Sequence, residues 1–73
     1  MAANIYNVMT WDQAVQQFEA EVLPHVITIH EQDGVPDWPA RREEWNNWTD
    51  SLCKNNQISD WQYENWSHSP LCD

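Results

Sequence analysis

Seventy-three residues suffice for one small domain, near the lower limit at which a single hydrophobic core holds a chain folded without staples. Twelve acidic against three basic side chains give a formal charge of -9, a surface that repels phosphates, so the chain is not expected to bind DNA or RNA directly and its partners are expected to be basic. With 41% hydrophobic residues, six Trp and a single Gly, the composition excludes a disordered chain and favours an all-α domain over a sheet.

In chain order, residues 1–9 hold an apolar cluster, Ile5, Tyr6, Val8 and Met9, with no helix-start signal, which predicts an extended arm. The start carries no basic region followed by an apolar run, and no stretch reaches the length of a membrane span; a cytoplasmic protein is expected. Thr10 and Gln13 have capping-box spacing, in which hydroxyl and side-chain amide each satisfy a backbone group at a helix start. Trp11, Val15, Phe18, Val22, Val26 and Ile29 then recur at steps of three and four, the apolar stripe of an amphipathic helix. Pro24 interrupts it by removing a backbone donor and crowding the preceding turn. Because the stripe stays in phase beyond Pro24, one kinked helix is predicted over about 10–33, ended by Gly34 in a left-handed conformation.

The connector GVPDWP comes next, and Asp37 before Trp38 and Pro39 reads as an N-cap with proline in the first turn. A second helix is predicted over 38–54, with Trp38, Trp45, Trp48 and Leu52 on one face and Thr49 and Cys53 beside them. Lys54 suits its C-terminus, and Asn55 with Asn56 supplies the turn. Ser59 and Gln62 form a second capping box, Asp60 favours the helix start, and Ile58 with Tyr63 has hydrophobic-staple spacing. That places a third helix over 59–66, after which Pro70 makes the tail SHSPLCD irregular. The expected architecture is therefore a single domain, 1–73, of three helices: a long kinked first helix, then a helical hairpin, with irregular termini.

Few of the chemically suggestive residues combine into a site. Helices two and three outline a helix-turn-helix, but the later helix offers Asp60 and Glu64 where phosphate contacts require Lys or Arg. His68 and Cys72 have a spacing seen in zinc sites; with Cys53 and His30 they would come from distant elements, and no Cys-x-x-Cys is present, so no metal site is assigned. Cys53 lacks the orienting and oxyanion groups a nucleophile needs, and Glu43 with Glu44 sits on a solvated helix that does not separate pKa values. Two free thiols are expected in a reducing compartment, since Cys53 and Cys72 can pair only if the tail folds back on the second helix. The sequons at Asn47 and Asn65 fall inside predicted helices and are read as chance. The chain is thus expected to be no enzyme, with no catalytic residues and no cofactor.

Aromatic and acidic side chains carry the functional expectation. Trp11, Trp38, Trp45, Trp48 and Trp61 sit at positions consistent with a core, yet so small a domain has difficulty enclosing six indoles, and one or two should be partly exposed. An exposed Trp ringed by acids suits a protein-binding hot spot against Arg or Lys. The acids fall at helical spacing, Asp12 with Glu19, Glu43 with Asp50 and Asp60 with Glu64, and Asp33 with Asp37 flanks the connector. The candidate partner-binding residues are Asp33, Asp37, Glu43, Glu44, Asp50, Asp60, Glu64 and Trp66.

In size, charge and helical content the chain resembles the short acidic proteins that phages and plasmids encode against restriction, CRISPR or repair enzymes. It departs from the most charged of these DNA mimics by its tryptophans and by Arg41 and Arg42, which favours a mixed aromatic and acidic interface. The resemblance implies an inhibitor, acting in a host cytoplasm, whose partner is the basic surface of a nucleic-acid-binding protein. The alternative expectation is a non-catalytic adaptor that docks or self-associates through its Trp-rich helical face.

Overall fold

A computed structural model describes residues 8–73, so most of the arm predicted for residues 1–9 lies outside the described residues. The first helix runs continuously from residue 11 to residue 30 in three registers: α1 (Trp11–Gln17), a π-helical turn (Phe18–Val22) and α2 (Leu23–His30). A turn closed by the Gly34 N–H on the Glu31 carbonyl leads to α3 (Trp38–Lys54), then α4 (Asp60–Asn65) and a 3-10 turn (Pro70–Cys72). No strand occurs among the described residues, and none of their helices is long and apolar enough to cross a membrane. The all-α domain of a long helix and a helical hairpin is what the sequence predicts.

Local signals account for the helix ends. Both capping boxes close: the Gln13 N–H donates to Thr10 Oγ1 and the Thr10 N–H to Gln13 Oε1, and Gln62 with Ser59 repeats the exchange. Asp37 caps α3 by accepting from the Ala40 N–H at 3.1 Å. At the other end of α3, Asn56 takes a left-handed φ of 61°. Its own N–H donates to the Cys53 carbonyl and the Gln57 N–H to the Leu52 carbonyl, a Schellman arrangement that satisfies the last carbonyls of the helix. Gly34 has the expected positive φ, 81°, but lies in the turn after the helix, which stops at His30, three residues short of the predicted boundary.

Pro24 explains the π turn. In α register it would owe a hydrogen bond to the Ala20 carbonyl and its ring would press on that group. Instead the Leu23 N–H reaches Phe18 O, five residues back, and Pro24 falls in the first turn of α2, where a missing donor matters least. The extra residue rotates α2 relative to α1. Buried positions run Ala14, Phe18, Leu23, Val26, with a step of five across the π turn, so Leu23 enters the core while Ile29 is left 62% exposed. The predicted stripe is therefore kept only in part: Val26 is buried beyond Pro24, but Val22 is only half-buried and Ile29 faces outward.

The core is small and aromatic. Phe18 is fully buried, with Trp45 edge-on at 5.1 Å between ring centroids and Trp48 at 5.7 Å, and the two indoles are 5.8 Å apart. Leu23, Val26, Ala14 and, unexpectedly, Cys72 complete it. Cys72 reaches the core because the tail, irregular as predicted, folds back over helix one and α3. Trp11 Nε1 donates to the Ser67 carbonyl, Ser69 Oγ to Glu19 Oε2, and Arg41 and Arg42 to the carbonyls of Leu71 and Cys72.

Candidate partner-binding surface

The three cations decide which acids remain available. Arg41 is buried and forms a two-pronged pair with Glu31, Nε to Oε2 at 2.6 Å and Nη2 to Oε1 at 2.7 Å. The same Glu31 oxygen accepts the Asp37 N–H, the Arg41 guanidinium lies 5.0 Å from the Trp38 ring centroid, and its remaining arm holds the tail. One side chain thus ties together helix one, the connector, α3 and the C-terminal strap. Hydrogen bonding from Arg41 holds the Glu31 carboxyl below its ordinary value, against the opposing effect of burial. Arg42 faces the Asp73 carboxylate at 3.7 Å, and Lys54 pairs with Asp50 at 2.9 Å across one turn of α3.

Every Lys and Arg of the chain is therefore engaged within the fold. Twelve carboxylates less the three so paired, Glu31, Asp50 and Asp73, leave nine without a Lys or Arg partner among the described residues. Not all nine are free for a partner: Asp37 spends itself on the α3 cap and Glu19 accepts from Ser69. Asp12, Glu21, Asp33, Glu43, Asp60 and Glu64 are exposed.

Five of the eight predicted residues separate into two groups at opposite ends of α3. Asp33 and Asp37 flank the connector, where both carboxylates accept backbone N–H groups, Asp33 from Val35 and Asp37 from Ala40. Asp50, Asp60 and Glu64 lie around Cys53 at the far end; the thiol donates to Asp60 Oδ1 at 3.1 Å. That bond, with burial and the charges of Asp60, Asp50 and Glu64, raises the thiol pKa above its ordinary value. The thirteen steps from Asp37 to Asp50 span roughly 20 Å at the helical rise. Glu43 is exposed on the outer face of α3, two turns before Asp50, and Glu44 is half-buried. Trp66 packs half-buried against the core.

The most exposed indole is Trp61, at 68%, and its place in the sequence pattern does not single it out for binding. The signal is its helix: within α4 its i+3 and i+4 neighbours are Glu64 and Asn65, so no apolar partner shares its face. Trp38 is the other exposed indole, at 38%, with Ile27 and Leu71 also exposed around the Glu31–Arg41 pair.

The thiols and histidines stay apart. Cys72 sits against the Arg41 carbonyl, while Cys53 lies twelve residues further along α3, about 18 Å by helical rise, so the returning tail docks at the wrong end for a disulfide. His68 pairs with Asp73 at 2.8 Å. Among the described residues no three His, Cys, Asp or Glu side chains converge where a metal ion could be held. A shallow depression of about 210 Å³ is lined by Pro24, His25 and Thr28, none of them a predicted site residue. No protein family, curated protein or solved structure matches the chain, so its functional interpretation rests on this geometry.

Proposed function

We propose that the chain is a small acidic inhibitor, of the kind phages and plasmids encode, that blocks a nucleic-acid-binding defence or repair protein by occupying its basic surface. The observation that carries this is the internal use of all three cations: Arg41, Arg42 and Lys54 each pair with a carboxylate of the same chain and leave nine others without a Lys or Arg partner among the described residues. A surface so polarised attracts cationic clefts at long range and repels nucleic acid itself. Carboxylates three or four residues apart on a helix stand ~5–6 Å apart at Cβ, comparable with neighbouring phosphates along a strand. The partly exposed indoles add the desolvated contact that charge alone does not supply.

Capture on the immobilised chain from a bacterial lysate tests it. The expected partner binds nucleic acid, elutes with salt and is displaced by DNA; a partner retained at high salt and indifferent to DNA overturns it. The adaptor alternative is supported by a different observation, the exposed Ile27, Trp38 and Leu71 grouped about the Glu31–Arg41 pair. It requires self-association or docking that survives high salt, which sedimentation at increasing concentration measures.

A further inference from the structure

The helix α4 contributes no buried residue to the core. Six residues are far too few for a helix to stand alone in water. It is held instead from outside: by its capping box, by buried Ile58 just before it, by Trp66 after it, and by Gln62 Nε2, which donates to the Met9 carbonyl. Apart from half-buried Gln62, every one of its side chains is exposed. A segment fixed in place without packing of its own leaves its outward face uncovered by the described residues.

That face is chemically uniform. Asp60 and Glu64 are four apart, a like-charge pair that destabilises an isolated helix; Asp60 accepts from the Cys53 thiol, and neither carboxylate has a Lys or Arg partner among the described residues. Trp61 and Tyr63 are the exposed aromatics of the same helix. At 100° per residue the two carboxylates lie between the two rings around the helix, with Glu64 one turn from Trp61. The fold already shows what completes such a set: at the connector the Arg41 guanidinium lies by the Trp38 ring while its Nε–Nη2 edge meets the Glu31 carboxylate. On α4 the indole and the carboxylates are present without the guanidinium.

We infer that the outward face of α4, with Asp60 and Glu64 at its centre and Trp61 beside them, is the docking surface for an arginine side chain of a basic partner protein. The inference rests on the basic-partner function proposed above and narrows it to one face and one residue type. Arginine fits better than lysine because its planar, weakly hydrated guanidinium stacks on an indole while its edge hydrogen-bonds carboxylates. Binding also removes the repulsion between Asp60 and Glu64.

Nona-arginine and nona-lysine peptides, fluorescently labelled, are the probes, with anisotropy as the readout. Wild type should prefer the arginine peptide. Trp61→Ala changes no charge and should weaken that peptide about two- to fivefold while abolishing the preference over lysine. The Asp60→Asn/Glu64→Gln double variant should lose more affinity than Asp12→Asn/Glu21→Gln, which removes two charges elsewhere. Because α4 buries nothing and Asp12 and Glu21 are exposed, the three variants should keep the wild-type circular dichroism spectrum. Equal binding by Trp61→Ala and wild type, or equal loss in the two double variants, overturns the α4 surface while leaving the acidic-inhibitor function standing. Absence of saturable peptide binding overturns the α4 surface too, and the lysate capture judges the broader function separately.

Discussion

Truncating Leu23 and Ile29 in turn to alanine tests the register of helix one. A regular α-helix carrying the sequence stripe would bury Ile29; the π turn before Pro24 buries Leu23 instead, at 5% exposure, and leaves Ile29 at 62%. Leu→Ala in a packed core costs ~2–5 kcal/mol through lost transfer free energy and the cavity left behind. The core here is thin and open to partial collapse, which points to the lower half of that range, about 2–3 kcal/mol. Removing an exposed Ile from a helix should fall within about ±0.5 kcal/mol, because alanine's better helix propensity offsets the small apolar area that is removed. Against ~4–11 kcal/mol for a domain of this length, Leu23→Ala should shift the unfolding midpoint visibly and Ile29→Ala hardly at all. Urea titration followed by far-ultraviolet circular dichroism measures both, with an unchanged m-value confirming that stability alone has moved. If Ile29→Ala proved the more damaging, the π register and the core built on it would be wrong.

Acid titration should expose the Glu31–Arg41 pair. Hydrogen bonds from Arg41 depress the folded-state pKa of Glu31 below 4.5, so its contribution is fully present above that value and lost as pH falls through the folded pKa. The melting temperature of Glu31→Gln should accordingly lie below that of wild type at neutral pH, the gap closing on acidification below about 4.5; a constant gap contradicts the pair. Thiol labelling should be biphasic. Half-exposed Cys53 reacts in the native state, slowed by the carboxylates around it, whereas Cys72, buried and pushed up to about 11, reacts only as the tail lifts or the chain unfolds. Equal rates for the two would place the tail off the core.

The helix ends are legible from the sequence because they depend on neighbours in the chain. Thr10 with Gln13, Asp37 with the Ala40 N–H, and Ser59 with Gln62 each satisfy backbone groups within four residues, and the structure closes each one. The register of helix one is not legible, because Val22 and Leu23 are both apolar and spacing alone cannot show that Pro24 is accommodated by a π turn. Nor is the role of the arginines: in the sequence they only dilute the negative charge, whereas in the fold Arg41 and Arg42 anchor the tail through carbonyls thirty residues away. The tail is irregular, as Pro70 predicts. That it nonetheless delivers Cys72 to the core depends on side-chain and carbonyl contacts that no periodicity announces.

The candidate surface divides in the same way. That acids at helical spacing face water can be read from charge alone. Which of them remain without a cation cannot, because it depends on where three basic side chains go; nor can the 68% exposure of Trp61, set by a helix that packs nothing beneath it.

The affinity of the captured partner across a salt series, for wild type and for a Glu43→Lys/Glu44→Lys/Asp50→Lys variant, tests the central claim most directly. Affinity should fall steeply with salt, and charge reversal should weaken it far more than Cys53→Ser or His68→Ala does. Binding that is indifferent both to salt and to the reversed charges would contradict an acidic surface acting as the grip.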